Sequence, residues 1–253
     1  MMELHAHHLH YREVNQWLRR CSQDGIHHVT LHGIRGQRYI GTGLNNSLRI
    51  HIHGTAGNDL GAFMNGGEII VYGNAQDGVG NTMNAGRIII HGHAGDVVAH
   101  SMRGGTIYVR DDVGYRAGIH MKAWGDNPPL VIIGGTARDF LGEYMAGGTL
   151  IVLGLHDPSA PLVGSYVGTG MHGGVIYLRG TIAPYQYGKE AGLQPLTPDD
   201  WEYLQRTLAP FCEEFGFDLE AVLDHTFCKL VPLSRRPYGR LYEGAVGAVS
   251  NHS

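Results

Sequence analysis

Apolar and glycine positions recur along this chain with a period of 19 residues. GTAGNDLGAFMNGGEIIVY (54–72), GNAQDGVGNTMNAGRIIIH (73–91) and GHAGDVVAHSMRGGTIYVR (92–110) follow one another without a gap. A fourth unit (111–134) carries an insertion around Trp124 to Pro129, and a fifth (135–154) returns to the pattern. A sixth opens with the insertion LHDPSAP and resumes at 162–180, while residues 33–53 read as a degenerate first coil. Each unit holds an apolar residue, a small residue, two variable positions, Met, one variable position, usually two small residues, and an apolar strand. The methionines are Met64, Met83, Met102, Met121, Met145 and Met171. The strand alternates, so Ile69, Ile88, Ile107, Leu150 and Ile176 share a face with Val71, Ile90, Val109, Val152 and Leu178 two residues on. Leu60, Val79, Val98, Ala117, Leu141 and Val167 add a further column to the same interior.

A unit this short cannot close a core alone, but stacked on its neighbours at a strand spacing of about 4.8 Å it makes one continuous core. The pattern therefore predicts an all-β fold, a parallel β-helix of about seven coils over residues 33–180. Residues 1–32 form an N-terminal helix and cap, and 181–253 hold C-terminal helices and an extended arm. Gly66–Gly67, Gly104–Gly105, Gly147–Gly148 and Gly173–Gly174 stand just before strands, where the chain must turn with positive φ or pass close to the next coil. The Met column is read as structural core, because an unbranched thioether fills irregular gaps. Helical repeats, leucine-rich repeats and calcium-binding nonapeptides each require spacings that are absent here.

If alternate strand residues point inward, the residues between them point out: Ile70, Ile89, Tyr108, Ile151 and Tyr177. An apolar outer stripe needs a cover, which either the chain's own C-terminal helices or a partner subunit could provide. These five residues, with Arg235 and Arg236 of the tail, are the candidate partner interface. Upstream, Val14, Trp17, Leu18 and Cys21 fall on one helical face, with Gly25 as a stop, and such a helix would cap the first coil. Downstream, Thr197 is a helix N-cap with Pro198 at the first helical position, followed by a second short helix in DLEAVLDHTF.

Composition narrows the function. A formal net charge of −4 with pI near 6.5 gives no field to draw nucleic acid. No apolar run is long enough to span a membrane, and the start MMELHAHHLHYREV has no signal-peptide pattern, so a cytoplasmic protein is expected. Cys21, Cys212 and Cys228 form no CxxC pair and read as buried thiols. His32, His53 and His91 align on successive coils with Tyr72 between them, a surface ladder rather than a converging metal set. His5, His7, His8 and His10 read as a polar or disordered start. Asp59, Asp77 and Asp96 read as turn residues. The string Gly41–Gly43 opens no helix, so it is not a nucleotide loop, and no nucleophile–base pair or HExxH motif occurs. No catalytic, cofactor-binding or metal residue is assigned.

GYRAGIHMKAWGDNPPLVIIGGTARDFLGEYMAGGTLIVLG (114–154), YVGTGMHGGVIYLRG (166–180) and the tail VPLSRRPYGRLY (231–242) together resemble the GXGXG domain of the glutamate synthase large subunit, in its stand-alone form. A subunit of formylmethanofuran dehydrogenase shares the repeat. The resemblance implies a right-handed β-helix that is non-catalytic, a scaffold subunit of an oxidoreductase complex in glutamate biosynthesis, or of an N-methylglutamate-synthase-like relative. It implies a glutamine amidotransferase subunit and an FMN-binding synthase subunit as partners, the FMN and iron–sulfur clusters residing on the latter, with a homo-oligomer within the complex also open. The alternative it implies is the structural subunit of a formylmethanofuran-type dehydrogenase or hydrolase.

Overall fold

The computed structural model describes residues 2–45, 47–157 and 159–233. Eight parallel strands stack in sequence order: β2 (His28–Arg35), β3 (Arg49–Thr55), β4 (Asn65–Tyr72), β5 (Ala85–Ile90), β6 (Thr106–Val109), β7 (Leu130–Ile133), β8 (Ala146–Val152) and β9 (Gly173–Leu178). At one end β1 (Met2–His5) adds parallel to β2, and at the other β11 (Cys228–Pro232) adds antiparallel to β9 and β10 (Ala191–Gln194) antiparallel to β11. Helices α1 (Tyr11–Gln23), α2 (Pro198–Phe215) and α3 (Leu219–Leu223) flank this sheet. The molecule is thus a parallel β-solenoid with flanking helices, as the repeat predicts.

Register explains why the period is so regular. Ile50, Ile69, Ile88, Ile107, Val131, Leu150 and Ile176 lie opposite one another on successive strands. All are fully buried, and so is the parallel column Ile52, Val71, Ile90, Val109, Ile133, Val152 and Leu178. A one-residue slip would turn both columns to the outside, so the pattern holds the register. Bridges joining Ala56, Ala75, Ala94 and Val113 form a second wall of each coil. The six methionines are at most 1% exposed. Their function in the core is specific: a Cβ added at Gly86, whose φ is +101°, would stand 2.7 Å from the Met64 methyl, and one at Gly105 would stand 2.8 Å from that of Met83. Met121 at Gly148 and Met145 at Gly174 repeat the arrangement, so these four thioethers lie in the space that a pre-strand glycine of the next coil leaves open.

The ends differ from the sequence expectation. Residues 2–5 are strand β1, not an irregular polar start, and β2 joins the stack from His28, before the expected boundary at residue 33. Helix α1 is capped by His10, whose ring accepts from Arg12 N–H while Glu13 accepts from His10 N–H. Its buried Val14, Leu18 and Cys21 belong to the same apolar cluster as the solenoid interior, so α1 closes that end of the core. The start of the expected extended arm is strand β11, whose pairing with β9 satisfies backbone groups that an edge would leave open.

The outer stripe is covered by the chain itself. Ile70, Ile89, Tyr108, Ile151 and Tyr177, together with Ile132, pack against Leu204, Leu208, Phe211 and Cys212 of α2 and Val222 of α3. None of the six is more than 8% exposed. Thr197 caps α2 and Gly216, in the left-handed region, ends it. The helix is pinned over β9 where Tyr177 donates to Asp200 at 2.6 Å, and over β5 where His91 meets Glu214 at 3.1 Å. The expectation that these five side chains form a partner interface is therefore corrected. A closed cover of leucine and phenylalanine already removes them from water, at a gain of about 2 kcal/mol for each side chain fully buried. Arg235 and Arg236 lie outside the described residues.

Candidate functional site

Between the second wall and the Met position every coil turns through an arc in which alternate residues are left-handed. The first members are Tyr39, Asp59, Gly78, Val97, Arg116, Phe140 and Tyr166; the middle ones Gly41, Gly61, Gly80, Ala99, Gly118, Gly142 and Gly168; the third Gly43, Phe63, Thr82, Ser101, His120, Tyr144 and Gly170. All have positive φ, and every non-glycine residue of positive φ among the described residues belongs to an arc. The alternation has a hydrogen-bonding cause. The first and third N–H groups donate to the following coil, as Val97 to Tyr115 and Ser101 to Ile119, whereas the middle one donates to the preceding coil, as Ala99 to Val79. Peptide planes that flip at every residue join both neighbours at once.

Each non-glycine residue in such a position carries backbone strain of roughly 1–2 kcal/mol. The middle column, buried against the interior, is glycine except for Ala99. The outward columns instead hold large side chains, above all in the last three arcs. His120 stacks on Tyr144 at 5.3 Å and Phe140 on Tyr166 at 4.8 Å. The Arg116 guanidinium lies 4.4 Å over Phe140 and pairs with the buried Glu143, and Arg138 lies 5.7 Å from the Tyr115 ring. Tyr166 is 54% exposed, Tyr144 47% and Tyr115 43%. Just past the fourth-coil arc, Lys122 stands 6.0 Å from the ring of Trp124, which is 73% exposed. An aromatic and arginine-rich face on a hydrogen-bonded solenoid has the composition of a protein-binding hot spot. Sequence reading passed over it because these residues fall in positions that vary from coil to coil. The available signal was Gly-x-Gly at 41–43, 78–80 and 168–170, which marks the arc.

The remaining sequence-based candidates separate cleanly. His5, His32, His53, Tyr72 and His91 form one continuous ring stack with centroids 4.8 to 5.1 Å apart, ended by Phe215. Stacking faces the rings toward each other instead of converging nitrogens on a point. Among the described residues no group of three or more His, Cys, Asp or Glu side chains is placed to hold a metal ion. Asp77 and Asp96 accept N–H groups of the next coil, from Asp96 and Tyr115, and Asp139 does the same for Ser165. They join coils, a role wider than the turns expected of them. Burial pushes the Cys212 and Cys228 thiols up to about 11, so both stay protonated at neutral pH. A concavity of about 290 Å³ between α1 and the first arc has Arg19 as its one titratable lining group. No described helix is long and apolar enough to cross a membrane.

A solenoid whose coils each turn through a glycine-spaced, left-handed arc defines the class of this protein. The family model described as "GXGXG motif" matches residues 27–233, and the chain belongs to that family. It is 45% identical over 243 residues to "Uncharacterized protein MJ1350" of Methanocaldococcus jannaschii, covering 92% of this chain and 93% of that protein. Among solved structures it is similar to a chain of the formyltransferase/hydrolase complex (FhcABCD) from Methylorubrum extorquens, determined in complex with methylofuran. The TM-score is 0.55 with 20% identity, over 81% of this chain and 78% of that one, a likeness of fold.

Proposed function

We propose that this chain is a non-catalytic scaffold subunit of a multi-subunit enzyme complex. The observation that carries the reading is the exposed aromatic and arginine face, held on a solenoid whose interior and outer strand stripe are already filled. In the finer reading the complex is glutamate-synthase-like. The chain then holds a glutamine amidotransferase subunit, which releases ammonia, against an FMN- and iron–sulfur-containing synthase subunit, which consumes it. The fourth-coil insertion and the tail at 231–242 favour this version, since both resemble the stand-alone GXGXG subunit. A second reading, a structural subunit of a formylmethanofuran-type dehydrogenase or hydrolase, is favoured by the fold likeness to a chain of the formyltransferase/hydrolase complex.

Isolation of the tagged protein from its native cells, followed by mass spectrometry and absorption spectroscopy, tests both. An amidotransferase and a flavoprotein with a flavin absorption band are expected. A molybdenum- or tungsten-containing partner would replace the first reading with the second. Recovery of this chain alone, with enzymatic activity of its own, would overturn the scaffold reading.

A further inference from the structure

We infer that the concavity between α1 and the first arc is a binding site for a small carboxylate with a short aliphatic body. This goes beyond the scaffold reading and does not depend on it.

The site follows from how the hydrogen-bond columns of the solenoid end. In each later coil the middle N–H of the arc donates to the coil before it: Gly61 to Ile40 O, Gly80 to Leu60 O and Ala99 to Val79 O, each at 2.8 Å. The N–H just past the Met position does the same, Asn65 to Leu44 O at 2.6 Å, and Asn84 to Met64 O and Arg103 to Met83 O at 2.8 Å. The first coil has no arc before it. Its equivalent groups are the N–H of Gly41 and that of Asn45, which follows Leu44 at the Met position. Both belong to the side that α1 covers, and among the described residues neither has an acceptor. Helix α1 does meet other backbone groups here, since Asn15 Nδ2 donates to Arg38 O at 3.0 Å. Gly41 is buried, and a buried N–H without a protein acceptor is rare in folded proteins.

Gly41 and Asn45 both line the concavity of about 290 Å³. From α1 come Asn15, Arg19 and Ser22, at i, i+4 and i+7 on one helix face. No carboxylate lines the space, so nothing in it opposes an anion beside the Arg19 guanidinium. Two amide donors and a guanidinium suit the two oxygens of a carboxylate, which accepts charge-assisted hydrogen bonds from both kinds of donor. The floor is Leu18, Leu48 and Ile50, none more than 5% exposed. Such a floor matches a hydrocarbon body and offers nothing to a bare inorganic anion. Ligand pockets begin at about 300 Å³, so this one takes a body of only a few carbons.

The isotope-labelled full chain, as wild type and as Arg19→Gln, is titrated with pentanoate, its neutral analogue pentanamide and inorganic phosphate, and the backbone amides are followed by NMR. Arg19 is exposed, and circular dichroism melting verifies that the variant is folded. Pentanoate is expected to shift the Gly41 and Asn45 amide resonances saturably. Arg19→Gln should weaken that binding about tenfold or more, and pentanamide and phosphate should bind the wild type weaker by a similar factor. No saturable shift of the two amides by pentanoate in the millimolar range, or an affinity unchanged in Arg19→Gln, overturns the inference. Pentanamide binding as tightly as pentanoate overturns recognition of the charge, and phosphate binding as tightly overturns recognition of the aliphatic body. None of these results bears on the scaffold reading, which the isolation from native cells tests separately.

Discussion

Gly61 lies in the middle column of its arc, at φ +65°, and the side chain it faces provides the experiment that explains why. A Cβ placed there would stand 2.5 Å from Ile88 Cδ1, while the next atoms, Ile88 Cγ1 and Ile69 Cδ1, are at a comfortable 3.5 Å. One methyl group therefore decides whether alanine fits. Gly61→Ala combines about 1 kcal/mol of left-handed strain with about 2 kcal/mol of overpacking, a loss of roughly 3 kcal/mol. Ile88→Val alone opens a small void and costs about 1 kcal/mol. In the double variant the added Cβ takes the place of the removed Cδ1, and the total is expected near 2 kcal/mol instead of the additive 4, a coupling of about 2 kcal/mol. That exceeds the roughly 0.5 kcal/mol within which independent sites add.

The chain already carries this pair two coils on. The middle glycines meet the inward strand residue of a coil ahead: Gly41 meets Ile69, Gly61 meets Ile88, Gly118 meets Leu150 and Gly142 meets Ile176. By the same offset Ala99, at φ +59°, faces Val131, the one valine of that column from β3 to β9. Guanidinium denaturation of the four proteins, read at constant m-value, measures the cycle. A double variant no more stable than the sum of the two singles would refute the account of the glycine column.

Two further outcomes test the clamp over β9 and the Met column. Asp200 accepts from Tyr177 at 2.6 Å, Thr197 N–H at 2.7 Å and Lys229 at 2.8 Å. Its burial would raise the carboxyl pKa, but the hydrogen bonds from Lys229, Thr197 and Tyr177 outweigh that and hold it well below the usual range. The folded value lies below the unfolded one, so this stabilisation is complete above about pH 4 and is lost as pH falls through the depressed folded value. Asp200→Asn is expected to lose about 3 kcal/mol at pH 7 by stranding Lys229, with the gap to wild type narrowing below about pH 4. A gap that stays constant down to pH 2 in thermal melts would contradict this. Met83→Ala should cost about 3 kcal/mol and Met83→Leu less than about 1.5 kcal/mol, because only the leucine conserves volume; equal losses on denaturation would mean that the column is not packed as described.

What the sequence makes legible follows from which positions burial constrains. The inward columns repeat because a single exchanged residue is felt by the coils above and below, and so the strands, the Met column and the capping helices are all readable from spacing. Val131 and Ile132 are lost from that reading only because the insertion at Trp124 to Pro129 shifts the count just before β7. The direction of the outer stripe is likewise readable, but its cover is not. Alternation says that Ile89 and Tyr108 leave the core, whereas only the packed structure places Phe211 against Tyr108, ring edge to face at 5.5 Å. The arcs were hidden for the converse reason. Their backbone is set by hydrogen bonds to both neighbouring coils, which tolerate any side chain that points outward, so no periodic residue type marks them outside the glycine column. That tolerance is what leaves one face of a rigid, repetitive rod free to differ from coil to coil. The rings and cations of the last three arcs, like Tyr39 and Phe63 of the earlier ones, stand where the packing of the interior sets no residue type.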